Sequence, residues 1–209
     1  MKILNLYAGV GGNRKLWGNE HEVTAVENDW NILKIYKEFF PKDLIVCGDA
    51  HQYLLEHFRE FDFIWSSPPC PTHSVWGRLR MLPGEKKFDG QRLSETRYPD
   101  MALYQEILLL KHFFKGKYCV ENVVSYYEPL IAPLELAGHY FWTNFSIGQI
   151  TFQGRMMGKK DKIGQQIAKT GFDLSPYKGI DKRKALRNCV EPETGKHILD
   201  CMLKPNTLF

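Results

Sequence analysis

The apolar run Phe61-Asp62-Phe63-Ile64-Trp65 stops at Ser66-Ser67-Pro68-Pro69-Cys70-Pro71, and no other stretch restricts the fold as strongly. Proline donates no backbone N–H and fixes φ, so two in succession end a helix or a central strand. The run therefore reads as a buried strand that terminates and turns. Cys70 then stands at a strand's carboxyl end, where open α/β sheets form their ligand crevice. A cysteine between prolines is held on a stiff loop, and its thiolate is a strong nucleophile near neutral pH. A small buried apolar position would also suit a cysteine, so the rest of the chain must decide.

Before this strand come three further runs. Residues 3–7 form the first, followed by the glycine-rich turn Ala8-Gly9-Val10-Gly11-Gly12 and a helix expected over residues 13–17. Strand, glycine turn and helix open a nucleotide-type α/β fold, in which glycines let a ligand approach the backbone. The spacing is not GxGxxG. Residues 22–26 form the second strand, which ends at Glu27, and residues 44–47 the third, which ends at Gly48-Asp49. An acid at the tip of the second strand suits ribose hydroxyls in such folds, while each acid alone also suits a helix cap.

After Cys70, residues 71–99 are polar, basic and without period, which suggests a lid over the site. Helical spacing returns over residues 101–114, and a fifth strand, residues 118–120, leads into Glu121-Asn122-Val123. Residues 134–137 are expected to close a helix, and Tyr140-Phe141-Trp142 to form an aromatic strand. Residues 146–181 read as a small basic insertion, and helix returns around residues 187–190.

The net charge of +4 conceals an asymmetry. Residues 1–65 carry 7 Lys/Arg against 10 Asp/Glu, whereas residues 151–188 carry 10 against 3. The loop after Cys70 adds Arg78, Arg80, Lys86, Lys87, Arg92 and Arg97. A regional excess of this kind favours a polyanionic partner. Five cysteines without CxxC spacing argue for a reducing compartment and against a zinc site or disulfide framework. No apolar run approaches the roughly 18 residues of a membrane span. The chain is expected to be cytoplasmic, with no membrane partner and no metal.

These motifs together resemble the C5-cytosine methyltransferase family. Leu6-Tyr7-Ala8-Gly9-Val10-Gly11-Gly12 looks like its first motif, with Tyr7 where the family usually has Phe. Glu27 and Asp49 match the second and third in position. Pro68-Pro69-Cys70 is similar to the nucleophile motif, Glu121-Asn122-Val123 to the family's ENV, and residues 186–192 to its last motif. The resemblance implies an α/β, Rossmann-like fold dependent on S-adenosylmethionine, with a mostly parallel sheet and helices on both faces. Residues 1–145 plus 182–209 would form the catalytic and cofactor-binding domain, and residues 146–181 a target-recognition-like insertion. It also implies a cofactor set of Tyr7, Gly9, Gly11, Gly12, Glu27, Asp49, Pro68, Asn188 and Val190.

The chemistry implied is a covalent one. Cytosine C5 is a poor nucleophile until a thiolate adds at C6, and Cys70 would make that bond. Glu121 would hold the N3 and N4 edge of the ring. The family's arginine pair is replaced here by Ala137-Gly138-His139, so His139 is either a substitute cation near the pyrimidine O2 or a surface residue. The partner implied is nucleic acid, foremost DNA, with the target base flipped out of a duplex. The recognition segment is short for specific duplex readout, which a homodimer or partner subunit would offset. Three alternatives remain open: C5 methylation of RNA or a free cytosine nucleotide, methylation of an exocyclic amino group, and a catalytically silent nucleic-acid-binding subunit. Cys70 and Glu121 together speak against the last two.

Overall fold

A computed structural model describes residues 1–74, 99–149 and 163–204. Seven strands form one sheet: β1 (Lys2–Leu6), β2 (Glu22–Glu27), β3 (Leu44–Cys47), β4 (Phe63–Ser66), β5 (Lys117–Val123), β6 (Leu134–Leu136) and β7 (His139–Thr143). Their order across the sheet is β3-β2-β1-β4-β5-β7-β6. Only β7 runs against its neighbours; every other pairing from β3 to β5 is parallel. Among the described residues six α-helices accompany them: α1 (Trp30–Phe39), α2 (Ala50–His57), α3 (Ala102–Phe113), α4 (Ile163–Thr170), α5 (Lys182–Arg187) and α6 (Pro192–Leu203). This is the Rossmann-like, mostly parallel architecture expected from the motifs, with helices on both faces.

The strand residues alternate between two cores, as the two-residue period of a strand requires. Leu4, Ile64, Tyr118, Val120 and Trp142 pack with α2 and α3 on one face. Ile3, Phe63, Trp65, Cys119 and Phe141 pack with Trp17 and α6 on the other. With both faces covered, the central strands read as continuous apolar runs. A third cluster draws Phe172, Leu174 and Leu186 onto Val10 and Ile35, fastening the later segment to the glycine turn and α1.

Asp29 caps α1 by accepting from the Asn31 and Ile32 amides, and Asp49 caps α2 by accepting from Gln52 N at 3.0 Å. Such caps contribute about 1 kcal/mol each. They also fix where each helix starts relative to the strand before it.

Two expected helices are absent. Residues 13–17 form successive turns, with Lys15 N bonded to Gly12 O and Trp17 N to Arg14 O. Side chains hold them there: Asn13 bonds Asn5, and buried Arg14 makes two bonds to Asp43 and one to Gly18 O. Those long-range bonds replace the i→i−4 ladder. Residues 134–136 are strand β6 rather than helix. Ala137 and Gly138 follow with φ of 55° and 76°, and Leu136 pairs with His139. Two left-handed residues in a two-residue loop make a tight hairpin, which outweighs the local helical signal. The expected lid falls mostly on residues 75–98, and part of the basic insertion on residues 150–162; both lie outside the described residues.

Candidate active site

Strand order reverses at β1, which has β2 on one side and β4 on the other. In open α/β sheets the crevice above the carboxyl ends at such a reversal is the ligand site. The residues singled out in the sequence converge on this edge from both sides.

On the β1–β2–β3 side, Glu27 ends β2 half-buried, and its carboxylate accepts three backbone N–H groups. Gly9 N bonds Oε2, while Asn28 N and Asp29 N bond Oε1, each at 3.0 Å. Glu27 thereby ties the glycine turn to the second strand. Gly9 has φ of 53°, and a Cβ added there or at Gly48 would meet no atom within 4 Å. Open space at both glycines, flanking Glu27, lies beyond the carboxyl ends of β1 and β3. Gly11 and Gly12 have a different reason to be glycine. A Cβ at Gly11 would strike Phe40 and Tyr36, and one at Gly12 would strike Val190 O and Cys189 Sγ. The segment after α5 is thus seated on the glycine turn, with Cys189 and Val190 against Gly12 and Asn188 exposed at the end of α5.

Tyr7 follows β1 with φ of 55°, a left-handed conformation that costs a non-glycine residue about 1–2 kcal/mol. Its hydroxyl donates to Glu106 Oε1 at 2.7 Å. Burial first, and the Glu106 carboxylate second, push the phenol far above its ordinary range, so it stays a donor. Glu106 also faces His51 Nδ1 at 3.0 Å and accepts from Ser66 Oγ at 2.5 Å.

On the β4–β5–β7 side, Pro68 is buried and Cys70 half-buried. Asn122 Nδ2 donates to Pro68 O at 3.0 Å, strapping the proline turn to β5 beside Glu121. The Cys70 carbonyl accepts from His73 N and Ser74 N, both at 3.0 Å, which closes the turn after the cysteine. Asp100 N bonds Thr72 Oγ1 at 3.0 Å, so the chain returns next to the point where it left.

Burial raises the Cys70 thiol above its ordinary value; Glu121 raises it further, and the Arg187 charge acts in the opposite direction. Glu121 is buried, and burial raises its carboxyl as well, against the nearby imidazole of His139 and a hydrogen bond from Ser67. His139 Nε2 lies 3.7 Å from Glu121 Oε1. It reaches Glu121 diagonally across the ladder, since His139 pairs with Val123 and Phe141 with Glu121. Thiol and carboxyl therefore compete: ionising one makes ionising the other harder. A proton held on Glu121 favours thiolate at Cys70.

Sequence reasoning passed over Glu106, His51, Ser66, Ser67 and Asn122. Glu106 carried a signal: it lies three residues after Leu103 and four before Leu110, on the buried face of an otherwise apolar helix. The hydroxyls of Ser66 and Ser67 carried none.

Residues 1–103 match the family model of the C-5 cytosine-specific DNA methylases. A Type II methyltransferase of Bacillus sp. (strain RFL6) is 29% identical over 114 residues, covering 51% of this chain and 36% of that protein. The chain thus aligns with only about a third of the length of that curated relative. Among solved structures, DNMT2 of Spodoptera frugiperda is 26% identical with a TM-score of 0.36, over 58% of this chain and 35% of that one. TrmN of Thermus thermophilus is 15% identical with a TM-score of 0.40, over 68% and 42%. The matched residues hold the glycine turn, Glu27, Asp49 and the Pro-Pro-Cys turn. Over residues 1–103, just under half of its length, the chain is similar to the C-5 cytosine-specific DNA methylase family.

Proposed function

We propose that this protein methylates C5 of cytosine in DNA, drawing the methyl group from S-adenosylmethionine and attacking the base through Cys70. One observation carries the reading. Asn122 ties the Pro68 carbonyl to β5, so a half-buried thiol and a buried carboxyl with a raised pKa share the end of the sheet. A nucleophile whose ionisation is linked to that of an adjacent acid is what addition to an aromatic pyrimidine requires.

The cleft on the other side fits the cofactor. Open space at Gly9 and Gly48 receives a flat adenosyl group against backbone, and Glu27 offers carboxylate oxygens to ribose hydroxyls. Tyr7 and Asp49 would hold the adenine, Gly11 and Gly12 would supply the turn beneath it, and Pro68, Asn188 and Val190 would complete the set. When bound, S-adenosylmethionine supplies an electrophilic methyl group.

The chain's own residues do the rest. Cys70 Sγ, as thiolate, bonds to C6 of the flipped cytosine and moves an electron pair toward C5. Protonated Glu121 donates to N3 and takes up the charge that develops in the ring; its raised pKa keeps that proton available. His139 sits where it sets how readily Glu121 ionises, and its half-exposed ring is assigned to the pyrimidine O2. After C5 has accepted the methyl group, its proton leaves to water. The electron pair returns, the C6–S bond breaks, and Cys70 is regenerated.

The basic insertion, residues 146–181, and the basic loop after Cys70 are assigned to the phosphate backbone. The test is nucleoside mass spectrometry on DNA and on RNA incubated with protein and S-adenosylmethionine. 5-Methylcytosine in DNA is expected; the same product in RNA alone changes the substrate, and methyl on an exocyclic nitrogen overturns the reaction.

A further inference from the structure

Glu106 has no exposed surface, yet it sits on α3 among apolar residues. A buried carboxylate is tolerated only where donors fill its lone pairs. Here three donors arrive from three other elements: Tyr7 after β1, Ser66 at the end of β4, and His51 in the first turn of α2. Leu6 pairs with Ser66, so Tyr7 and Ser66 leave adjacent strands side by side, at the reversal of strand order. One carboxylate therefore clamps both lips of the crevice and holds Tyr7 in its left-handed conformation.

We propose that Glu106 is the positioning residue of the cofactor pocket, fixing Tyr7 and the ends of β1 and β4 to receive the adenosyl group and holding a protonated His51 at the pocket's edge. This rests on the S-adenosylmethionine reading above. The groups facing His51 are Glu106 from α3, Asp100 ahead of α3, Asp49 at the start of α2, and the Tyr7 hydroxyl. The three carboxylates favour imidazolium, foremost through the Glu106 hydrogen bond, and partial burial opposes them. A raised histidine pKa places the sign. The ion pair is complete below the ordinary histidine value and is lost as pH rises through the raised one. Cofactor affinity should follow the clamp and weaken over that rise.

The experiment is calorimetric titration of S-adenosylhomocysteine into the full chain between about pH 5.5 and 8.5, beside NMR titration of the His51 ring. Glu106→Gln keeps the shape and one acceptor oxygen but removes the charge and turns the other acceptor into a donor. It should bind about ten-fold more weakly at the acid end, where the ion pair is complete. It should also lose the pH dependence and return the His51 titration toward the ordinary range. His51→Gln keeps a donor for Glu106 without a titrating ring, so it should abolish the pH dependence even if Glu106→Gln fails to fold. Folded Glu106→Gln with unchanged affinity and profile overturns the proposal, as does a pH dependence that survives in His51→Gln. Absence of S-adenosylhomocysteine binding by the unaltered protein overturns the cofactor reading instead. The His51 titration still decides whether Glu106 holds an imidazolium.

Discussion

Two buried glutamates stand at neighbouring strand ends and are used in opposite ways. Glu106 faces the ends of β1 and β4 with both oxygens occupied by close donors. Glu121, on β5, receives a hydrogen bond from Ser67 and has His139 only at 3.7 Å. A carboxylate saturated with donors is a fixed part of the scaffold. One buried with fewer partners has a raised pKa and retains capacity to hydrogen-bond a ligand. On the proposed reading, the difference separates the half of the crevice that grips the cofactor from the half that reacts.

The largest effect should come from the reacting half. Cys70→Ala removes the thiol proposed to bond C6, so turnover should fall by about 10⁴-fold or more. Binding of S-adenosylhomocysteine by calorimetry should stay within about two-fold, since affinity resides across the crevice.

Glu121→Gln should lower kcat by about 10²–10³-fold, the range of a lost general acid. Its effect on stability should have the other sign. Because the folded-state pKa lies above the unfolded one, ionised Glu121 opposes folding, and stability falls as pH rises from the ordinary glutamate value through the raised one. At neutral pH the glutamine variant should therefore melt higher, by about 2–4 °C for each kcal/mol relieved.

Glu106→Ala should do the reverse. It leaves three donors without their acceptor, at about 1–3 kcal/mol each where they stay buried, so Tm should drop by about 6 °C or more. Equal melting shifts of the same sign for the two glutamates would break the comparison.

Tyr7→Phe should be the mildest. It loses one hydrogen bond to a charged group, about 1.5–3 kcal/mol, and weakens cofactor binding without changing kcat at saturation.

Most of the sheet was legible because its strands are buried on both sides, which writes them as apolar runs such as Phe63-Ile64-Trp65. Cys70, Glu121 and Glu27 were legible because each follows such a run and so falls on the crevice edge. What stayed hidden depended on contacts between distant segments. The turns at residues 13–17 form because Asn13 and Arg14 reach Asn5 and Asp43, which no local window reveals. Strand β6 exists because Ala137 and Gly138 reverse the chain onto β7. Glu106 looked like a stray charge on an apolar helix until Tyr7, His51 and Ser66 came to it from other elements.

The central claim is that Cys70 adds to C6. An oligonucleotide with 5-fluorocytosine is the direct probe, because fluorine at C5 cannot leave as the proton does, and the adduct persists after methyl transfer. With S-adenosylmethionine present, peptide mass spectrometry should find one base linked to the peptide containing Cys70, carrying an added methyl group. Methylation of ordinary cytosine with no trapped adduct, or an adduct on any other cysteine, would contradict the account.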